Sequence, residues 1–146
     1  MEPLVVKPGQ NRTISPIGGD ESFWLALGSQ TRGAFAIMEQ SVPPGHGPRK
    51  HVHHREDESF YILEGEFGFE VGDRQFVAGA GSFVLGPRDI PHRFWNAGKT
   101  PGRFLLILSP PGLEPFFEEF SRVMAESPDD LALQATVASR YGLEFV

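Results

Sequence analysis

The chain has 146 residues, 40% of them hydrophobic and 22% charged, and this composition predicts a single globular domain over residues 1–146. The net charge of −6 excludes general affinity for nucleic acid or anionic membranes, because both attract clustered Lys and Arg. The sequence contains no cysteine, so a bound metal would have to be held by His, carboxylate or water.

Short apolar segments separated by Gly or Pro predict a body made of β-strands. The segments are rich in aromatic and β-branched residues, and 17 glycines and 13 prolines interrupt the chain. The predicted strand segments are residues 22–27, 33–42, 59–73, 74–87, 92–98 and 102–109. This pattern is typical of an all-β sandwich or small barrel, here expected over roughly residues 10–110.

The hydrophobic period changes to that of α-helices after Gly112. Residues 113–126 carry an apolar stripe at helical spacing, which we expect to pack on the β body. The stripe consists of Phe116, Phe117, Phe120, Val123 and Met124.

A second helix is predicted over residues 128–141. Ser127 is its expected cap, Pro128 suits the first helical position, and Gly142 is suited to end it.

The segment GHGPRKHVHHREDESFYILEG, residues 45–65, combines four histidines with an acidic run and an apolar strand. His51 and His53 are separated by one residue, so their side chains share one face of a strand. Glu58 opens the next predicted strand, and if the two strands are antiparallel neighbours it faces the same cavity as both histidines. Two imidazoles and a carboxylate form a common transition-metal site.

A third histidine is supplied by a distant segment. His92 follows Pro91 and shares a strand face with Phe94 and Asn96. A histidine on an otherwise apolar inward face needs a partner, and a metal ion is one such partner.

The spacing of these residues resembles the two sequence motifs of cupins. The first motif is matched by Gly45, His51, His53, Glu58 and Gly65, with five, one, four and six residues between them. The second is matched by Gly81, Pro87, His92 and Asn96, with five, four and three residues between them. Asp89 stands where the second motif usually has glycine, and Asp tolerates such a turn position.

The resemblance implies a double-stranded β-helix (jelly-roll) barrel, followed here by the two C-terminal helices. It also implies one divalent transition metal ion (Fe, Mn, Ni, Cu or Zn) inside the barrel, with His51, His53, Glu58 and His92 as ligands. The C-terminal sequence is similar to that of small bacterial cupins of the quercetin-dioxygenase-like type.

The other polar residues of the histidine segment are expected outside the site. His54 is out of register with His51 and His53, which predicts a surface position, and His46 lies in a Gly/Pro loop. For Glu56 and Asp57 we favour a solvated charge run over a role as acceptors that orient a ligating imidazole.

Four protein ligands leave up to two positions open in six-coordinate geometry, which favours an oxidoreductase of dioxygenase type acting on a small aromatic or enolisable substrate. Glu58 is its candidate catalytic base. The alternatives are a non-oxidative metal-dependent isomerase or hydrolase, and a small-molecule-binding protein without catalysis. The candidate substrate-pocket residues, each with core packing as an equal alternative, are Met38, Phe60, Ile62 and Phe94.

The expected partner is a small-molecule substrate, with no nucleic acid and no membrane. We expect a homodimer in which apolar pieces of residues 1–27 pair with a neighbouring barrel, and Tyr61 and Trp95 are expected under the helices or at a subunit interface. The first residues, MEPLVVKPGQ, lack the apolar run of a signal peptide, so the expected location is cytoplasmic.

Overall fold

Two antiparallel β-sheets make up most of the computed structural model, which describes residues 2–11, 13–16 and 19–146. The strands are β1 (Thr13–Ile14), β2 (Glu21–Ala26), β3 (Ala36–Val42), β4 (His51–His53), β5 (Asp57–Glu64), β6 (Glu66–Val71), β7 (Arg74–Gly79), β8 (Phe83–Gly86), β9 (His92–Asn96), β10 (Gly102–Ser109) and β11 (Leu143–Phe145). The helices are a 3₁₀ turn (Gly28–Gln30), α1 (Glu114–Glu126) and α2 (Leu131–Arg140).

The strand order is that of a jelly-roll. One sheet has the order β1-β2-β3-β10-β5-β8 and the other β11-β4-β9-β6-β7, so sequential neighbours such as β4 and β5 lie in different sheets. The predicted all-β fold with two C-terminal helices is confirmed. None of the helices within the described residues is long and apolar enough to cross a membrane.

The strand β10 shows how the sequence builds the core. In GRFLLILS every second side chain is buried, and β10 is paired on both sides, with β3 and with β5. Its Phe104 meets Phe60 and Phe94 edge to face, with ring centroids 5.3 and 5.0 Å apart. Each fully buried side chain of this size contributes about 2–3 kcal/mol through the hydrophobic effect, so the interior behind the site is rigidly filled.

The second helix begins later than the sequence indicates. Asp130 is its cap, because its side chain accepts a hydrogen bond from the Leu133 N–H at 2.9 Å. The expected cap at Ser127 is wrong, since Ser127 instead ends α1 by donating its N–H to the Val123 carbonyl at 2.8 Å. Gly142 follows the end of α2 with a φ of 70°, the left-handed conformation that glycine favours.

The strand β11 was not predicted. It pairs antiparallel with β4, placing Leu143 opposite His53 and Phe145 opposite His51. Three residues are too few for a periodic signal, and only the preceding helix brings this segment against the histidine strand.

The first two strands lie within the six-stranded sheet of the same chain. β1 pairs with β2, and β2 pairs with β3. Residues 1, 12, 17 and 18 of the predicted dimer-forming segment lie outside the described residues. The homodimer therefore stays a prediction.

Neither Tyr61 nor Trp95 packs under the helices. Tyr61 is 41% exposed. Trp95 lies over Gly68, where a Cβ would come within 2.2 Å of the indole, and Arg93 stacks on it at 5.2 Å. The alternative position for both, at a subunit interface, stays a prediction.

We predict that Gly47→Ala strongly destabilises the fold. A Cβ at Gly47 would lie 2.0 Å from the Phe94 carbonyl oxygen, and a backbone atom cannot rotate away as a side chain can. We expect a loss of about 2–3 kcal/mol in the free energy of unfolding, measured by urea denaturation.

Gly79→Ala is the matched control, because no atom lies within 4 Å of a Cβ placed there. Its unfolding free energy should stay within about 0.5 kcal/mol of that of the wild type. Equal destabilisation by the two substitutions would contradict the close approach at Gly47.

Candidate metal centre

Four buried side chains converge between the two sheets. His51, His53, Glu58 and His92 each place a donor atom within 4.8 Å of the others, and none is more than 6% exposed. The register places His51 on β4 directly opposite His92 on β9. Glu58 reaches the cluster from β5 in the facing sheet. The structure thus brings together all four predicted ligands.

Hydrogen bonds around the cluster fix how the imidazoles are turned. Each ring directs Nδ1 away from the centre, to the Arg49 carbonyl at 2.7 Å for His51, to Glu56 Oε1 at 2.8 Å for His53 and to the Ile90 carbonyl at 3.1 Å for His92. A ring that donates from Nδ1 keeps the lone pair on Nε2 as a metal ligand. All three rings are therefore turned with Nε2 toward the centre, as a metal site requires.

The inward-facing atoms lack hydrogen-bond partners. His53 Nε2, His92 Nε2 and Glu58 Oε2 are buried without a partner of hydrogen-bond geometry, although Glu58 Oε2 contacts His53 Nε2 and lies 3.5 Å from His92 Nε2. Each such atom costs about 1–3 kcal/mol when left unsatisfied. A cation among them would satisfy all three, so the residues present fit a divalent metal ion.

The charges of the cluster shift its pKa values in different directions. Burial lowers the pKa of His51 to about 4. Burial also disfavours protonation of His53, but the charge of the contacting Glu58 and the hydrogen bond to Glu56 outweigh it and raise the pKa of His53 to about 9. Burial raises the pKa of Glu58, yet the neighbouring His53 and His92 hold it well below its usual range. The metal-free cluster therefore holds a proton on His53 at neutral pH.

Glu56 is part of the site, and its assignment to a solvated charge run is wrong. Its side chain is only 3% exposed and accepts the hydrogen bond from His53 Nδ1. Asp57 does behave as predicted, since it is exposed and pairs with Arg88 at 3.2 Å. The three residues between β4 and β5 form a tight connection that turns Glu56 back toward His53.

The remaining two histidines lie outside the cluster, as predicted. The His54 side chain is 46% exposed between Asp89 and Glu144, whose hydrogen bonds raise its pKa. The His46 side chain is 44% exposed and lies 3.4 Å from the buried Asp20.

A cavity of about 60 Å³ opens above the donor atoms. Its wall is mostly apolar and comes from both sheets and from α1. The lining residues are Pro16, Gln40, Pro48, His51, His53, Glu58, Phe94, Leu106, Phe116, Phe117, Phe120, Leu143 and Phe145.

The cavity wall differs from the predicted substrate pocket. Phe94 lies on it, whereas Met38, Phe60 and Ile62 are at most 1% exposed and belong to the hydrophobic core. They face inward as predicted, and the rings of Phe69 and Phe104 pack against Phe60.

Sequence reasoning missed the part of the wall built by α1 and β11. The stripe on α1, expected only to cover the core, supplies Phe116, Phe117 and Phe120, and Phe120 lies 6.0 Å from Phe145 between ring centroids. Phe145 in turn lies 6.4 Å from the ring of His51. The aromatic spacing in the helix was the one available signal.

A family model described as "Cupin domain" matches residues 38–108, a span that contains all four converging residues. Together with the jelly-roll order of the strands, this match decides the family. Residues 38–108 of this chain form a cupin domain. Its first motif contributes His51 and His53 from one sheet and Glu58 from the facing sheet, and its second motif contributes His92 beside His51.

Known proteins are similar to this cupin at low sequence identity. "Polyketide synthase CurC" of Streptomyces cyaneus is 29% identical over 111 residues, which are 74% of this chain and 68% of that protein. An RmlC-like cupin of Shewanella frigidimarina has a TM-score of 0.67 at 21% identity, covering 79% of this chain and 96% of that one. The polyketide cyclase RemF of Streptomyces resistomycificus has a TM-score of 0.63 at 22% identity, covering 74% and 80%. The two structural likenesses show the shared fold.

We predict that Glu56 sets metal affinity by orienting His53. Glu56→Ala removes the acceptor at 2.8 Å from Nδ1 and should weaken Zn²⁺ binding about 10–100-fold in competition with a chelator. Glu56→Gln keeps an acceptor oxygen and should bind within a few-fold of the wild type. The neighbouring Asp57→Asn is the control and should leave affinity unchanged. A Glu56→Ala protein with wild-type affinity would contradict the orienting role.

We also predict that metal binding releases about one proton near neutral pH. The pKa of about 9 means that His53 is protonated in the metal-free protein, and this proton must leave before Nε2 binds a metal. Apparent affinity should therefore rise about tenfold per pH unit between pH 6.5 and 8.5 and level off above pH 9.

Calorimetry in buffers of different ionisation enthalpy measures this release directly. His54→Ala, which removes an exposed histidine with a raised pKa, should release the same proton. Affinity that does not vary with pH over this window would show that His53 is already neutral before the metal binds.

Proposed function

We propose that this cupin is a metal-dependent oxidoreductase of dioxygenase type, acting on a small aromatic or enolisable substrate. One observation carries the proposal: three members of a three-histidine, one-carboxylate set, His51, His53 and Glu58, line an apolar, aromatic cavity, and His53 Nε2 and Glu58 Oε2 are buried there without hydrogen-bond partners. The proposed ligands of one divalent Fe, Mn, Ni, Cu or Zn ion are His51, His53, Glu58 and His92.

The ligand set supports binding of a substrate oxygen. Three neutral imidazoles and one carboxylate around a divalent ion carry a net charge of about +1, which favours an anionic oxygen such as an enolate or phenolate. A bound ion would supply Lewis acidity, and a redox-active one would also supply the means of activating dioxygen. The three outward hydrogen bonds hold the imidazoles in place during the reaction.

Glu58 is better suited to hold the metal than to act as the base. A general base works best when its pKa lies near the working pH, whereas His53 and His92 hold the pKa of Glu58 well below its usual range. We therefore propose that Glu58 acts chiefly as a ligand. A bound ion would lower the pKa of the substrate hydroxyl or enol, so that its proton could pass to a water molecule.

The cavity wall supports a small substrate that carries little charge. None of the described residues that line it is Lys or Arg, so the wall holds no cation for a phosphate or a second carboxylate. A cavity of about 60 Å³ suits a small substrate such as a single ring or a short diketone. The Phe side chains of α1 and β11 keep bulk water from the reacting atoms.

A second candidate function is the same metal–enol chemistry without dioxygen, as a cyclase, isomerase or hydrolase. The similarity to CurC, named a polyketide synthase, and to RemF, named a polyketide cyclase, favours this alternative. Both readings need an enolisable substrate with an oxygen at the metal.

We predict that protein loaded with Fe²⁺, Mn²⁺, Ni²⁺ or Cu²⁺ consumes dioxygen in an oxygen electrode with at least one of catechol, acetylacetone or a flavonol. The Zn²⁺ form should be inactive, because Zn²⁺ is not redox-active. His92→Ala removes one proposed metal ligand, so its rate of dioxygen consumption should fall at least about 100-fold. His54→Ala, a histidine outside the site, should keep the wild-type rate.

Two results would overturn the dioxygenase assignment. Turnover under anaerobic conditions or with Zn²⁺ would show the non-oxidative function instead. Tight binding of these compounds without turnover in any metal form would show a small-molecule-binding protein.

A further inference from the structure

Gln40 differs from every other described residue on the cavity wall. Apart from the candidate metal ligands His51, His53 and Glu58, the described wall consists of Pro, Phe and Leu side chains and this one carboxamide. Gln40 is only 2% exposed and lies on the central strand β3, so it is not a surface side chain that happens to reach inward. A buried amide in an apolar wall needs a partner for each of its polar atoms.

The strand register places Gln40 at the far end of the cavity from the metal ligands. Gln40 pairs with Phe104 on β10, and Phe104 pairs with Ile62 on β5. Ile62 lies four residues beyond Glu58 on β5. At the usual rise per residue of a strand, their Cα atoms are about 13 Å apart along the strand. Glu58 and Gln40 therefore face one cavity from two separate levels of the barrel.

The buried Asp20 anchors the amide. Gln40 Nε2 donates to Asp20 Oδ2 at 3.3 Å, and Asp20 is fully buried, with His46 Nδ1 3.4 Å from its other oxygen. A carboxylate only accepts hydrogen bonds, so the nitrogen of the amide must face Asp20. The amide carbonyl oxygen and the second N–H are then left for another partner.

We propose that Gln40 is the specificity-determining residue of this cavity and that Asp20 positions it. The substrate would bind the metal with oxygen at one end and donate a hydrogen bond to the Gln40 carbonyl from the other. This inference rests on the proposed metal site and deepens it. It specifies a substrate with a metal-binding oxygen at one end and a hydrogen-bond donor about one ring away at the other.

The physical basis is the cost of an unpaired polar group. In a wall of Phe and Leu, a substrate lacking the distal hydroxyl would leave the Gln40 carbonyl without a partner, which disfavours its binding. A residue that served only to satisfy Asp20 would instead be indifferent to what the ligand carries at its far end. The preference between two ligands therefore separates a specificity-determining role of Gln40 from a merely structural one.

The test uses two catechols that differ in one group. In 3,4-dihydroxybenzyl alcohol and 4-ethylcatechol the metal-binding oxygens are identical, and a distal hydroxyl replaces a methyl group of similar size. Their affinities for the Zn²⁺-loaded protein are measured by calorimetry without oxygen. The wild type should prefer the alcohol by about fivefold, and Gln40→Met, of similar length but without the amide, should abolish this preference.

Matched variants isolate each part of the proposal. Gln134→Met replaces the other buried glutamine, which lies outside the cavity wall and bonds to Arg49, and it should keep the preference. Asp20→Asn retains an acceptor for the amide and should also keep it, whereas Asp20→Leu should reduce it. Because each result is a ratio of two affinities in one protein, a variant with weakened metal binding remains informative.

Several results would overturn the inference or its Asp20 part. Equal affinities in the wild type, or an unchanged preference in Gln40→Met, would exclude Gln40 as the determinant. Failure of both catechols to bind the zinc-loaded protein would exclude the proposed substrate class. An unchanged preference in Asp20→Leu would remove the role of Asp20 alone. Because zinc binding is measured without turnover, a failed oxygen-consumption assay bears on the proposed function and leaves this result standing.

Discussion

The structure is organised around buried donor atoms that the protein itself does not satisfy. His53 Nε2, His92 Nε2 and Glu58 Oε2 lie inside an apolar barrel without hydrogen-bond geometry to any partner. Folding buries such atoms only at a cost, and the surrounding Phe-rich core supplies the stabilisation that offsets it. A bound cation would remove that cost and add its own binding energy to the stability of the fold.

The jelly-roll order of the strands makes this arrangement possible. Consecutive segments alternate between facing sheets, so the histidines of β4 and the carboxylate of β5 meet across the interior although they are neighbours in sequence. The same architecture leaves one end of the interior open, and α1 and β11 close it with aromatic rings. The polar centre and its apolar surroundings therefore arise from one topology.

The metal ligands were predictable from sequence because strand parity and motif spacing are local properties. His51 and His53 share a face by alternation, and the second motif places His92 opposite them. The orienting role of Glu56 was not predictable, since it depends on the geometry of a short turn. The wall formed by Phe120 and Phe145 was not predictable either, because it depends on where α1 and the three-residue β11 dock. The cap of α2 was missed because several residues in sequence were suitable caps.

The central claim is that the four converging side chains hold a metal ion, and elemental analysis of protein purified without added metal or chelator tests it most directly. The account predicts about one transition metal ion per chain in the wild type and almost none in a folded His51→Ala variant. A wild-type protein that stays metal-free after incubation with Fe²⁺, Mn²⁺, Ni²⁺, Cu²⁺ and Zn²⁺, or a His51→Ala variant that retains a full complement, would contradict it.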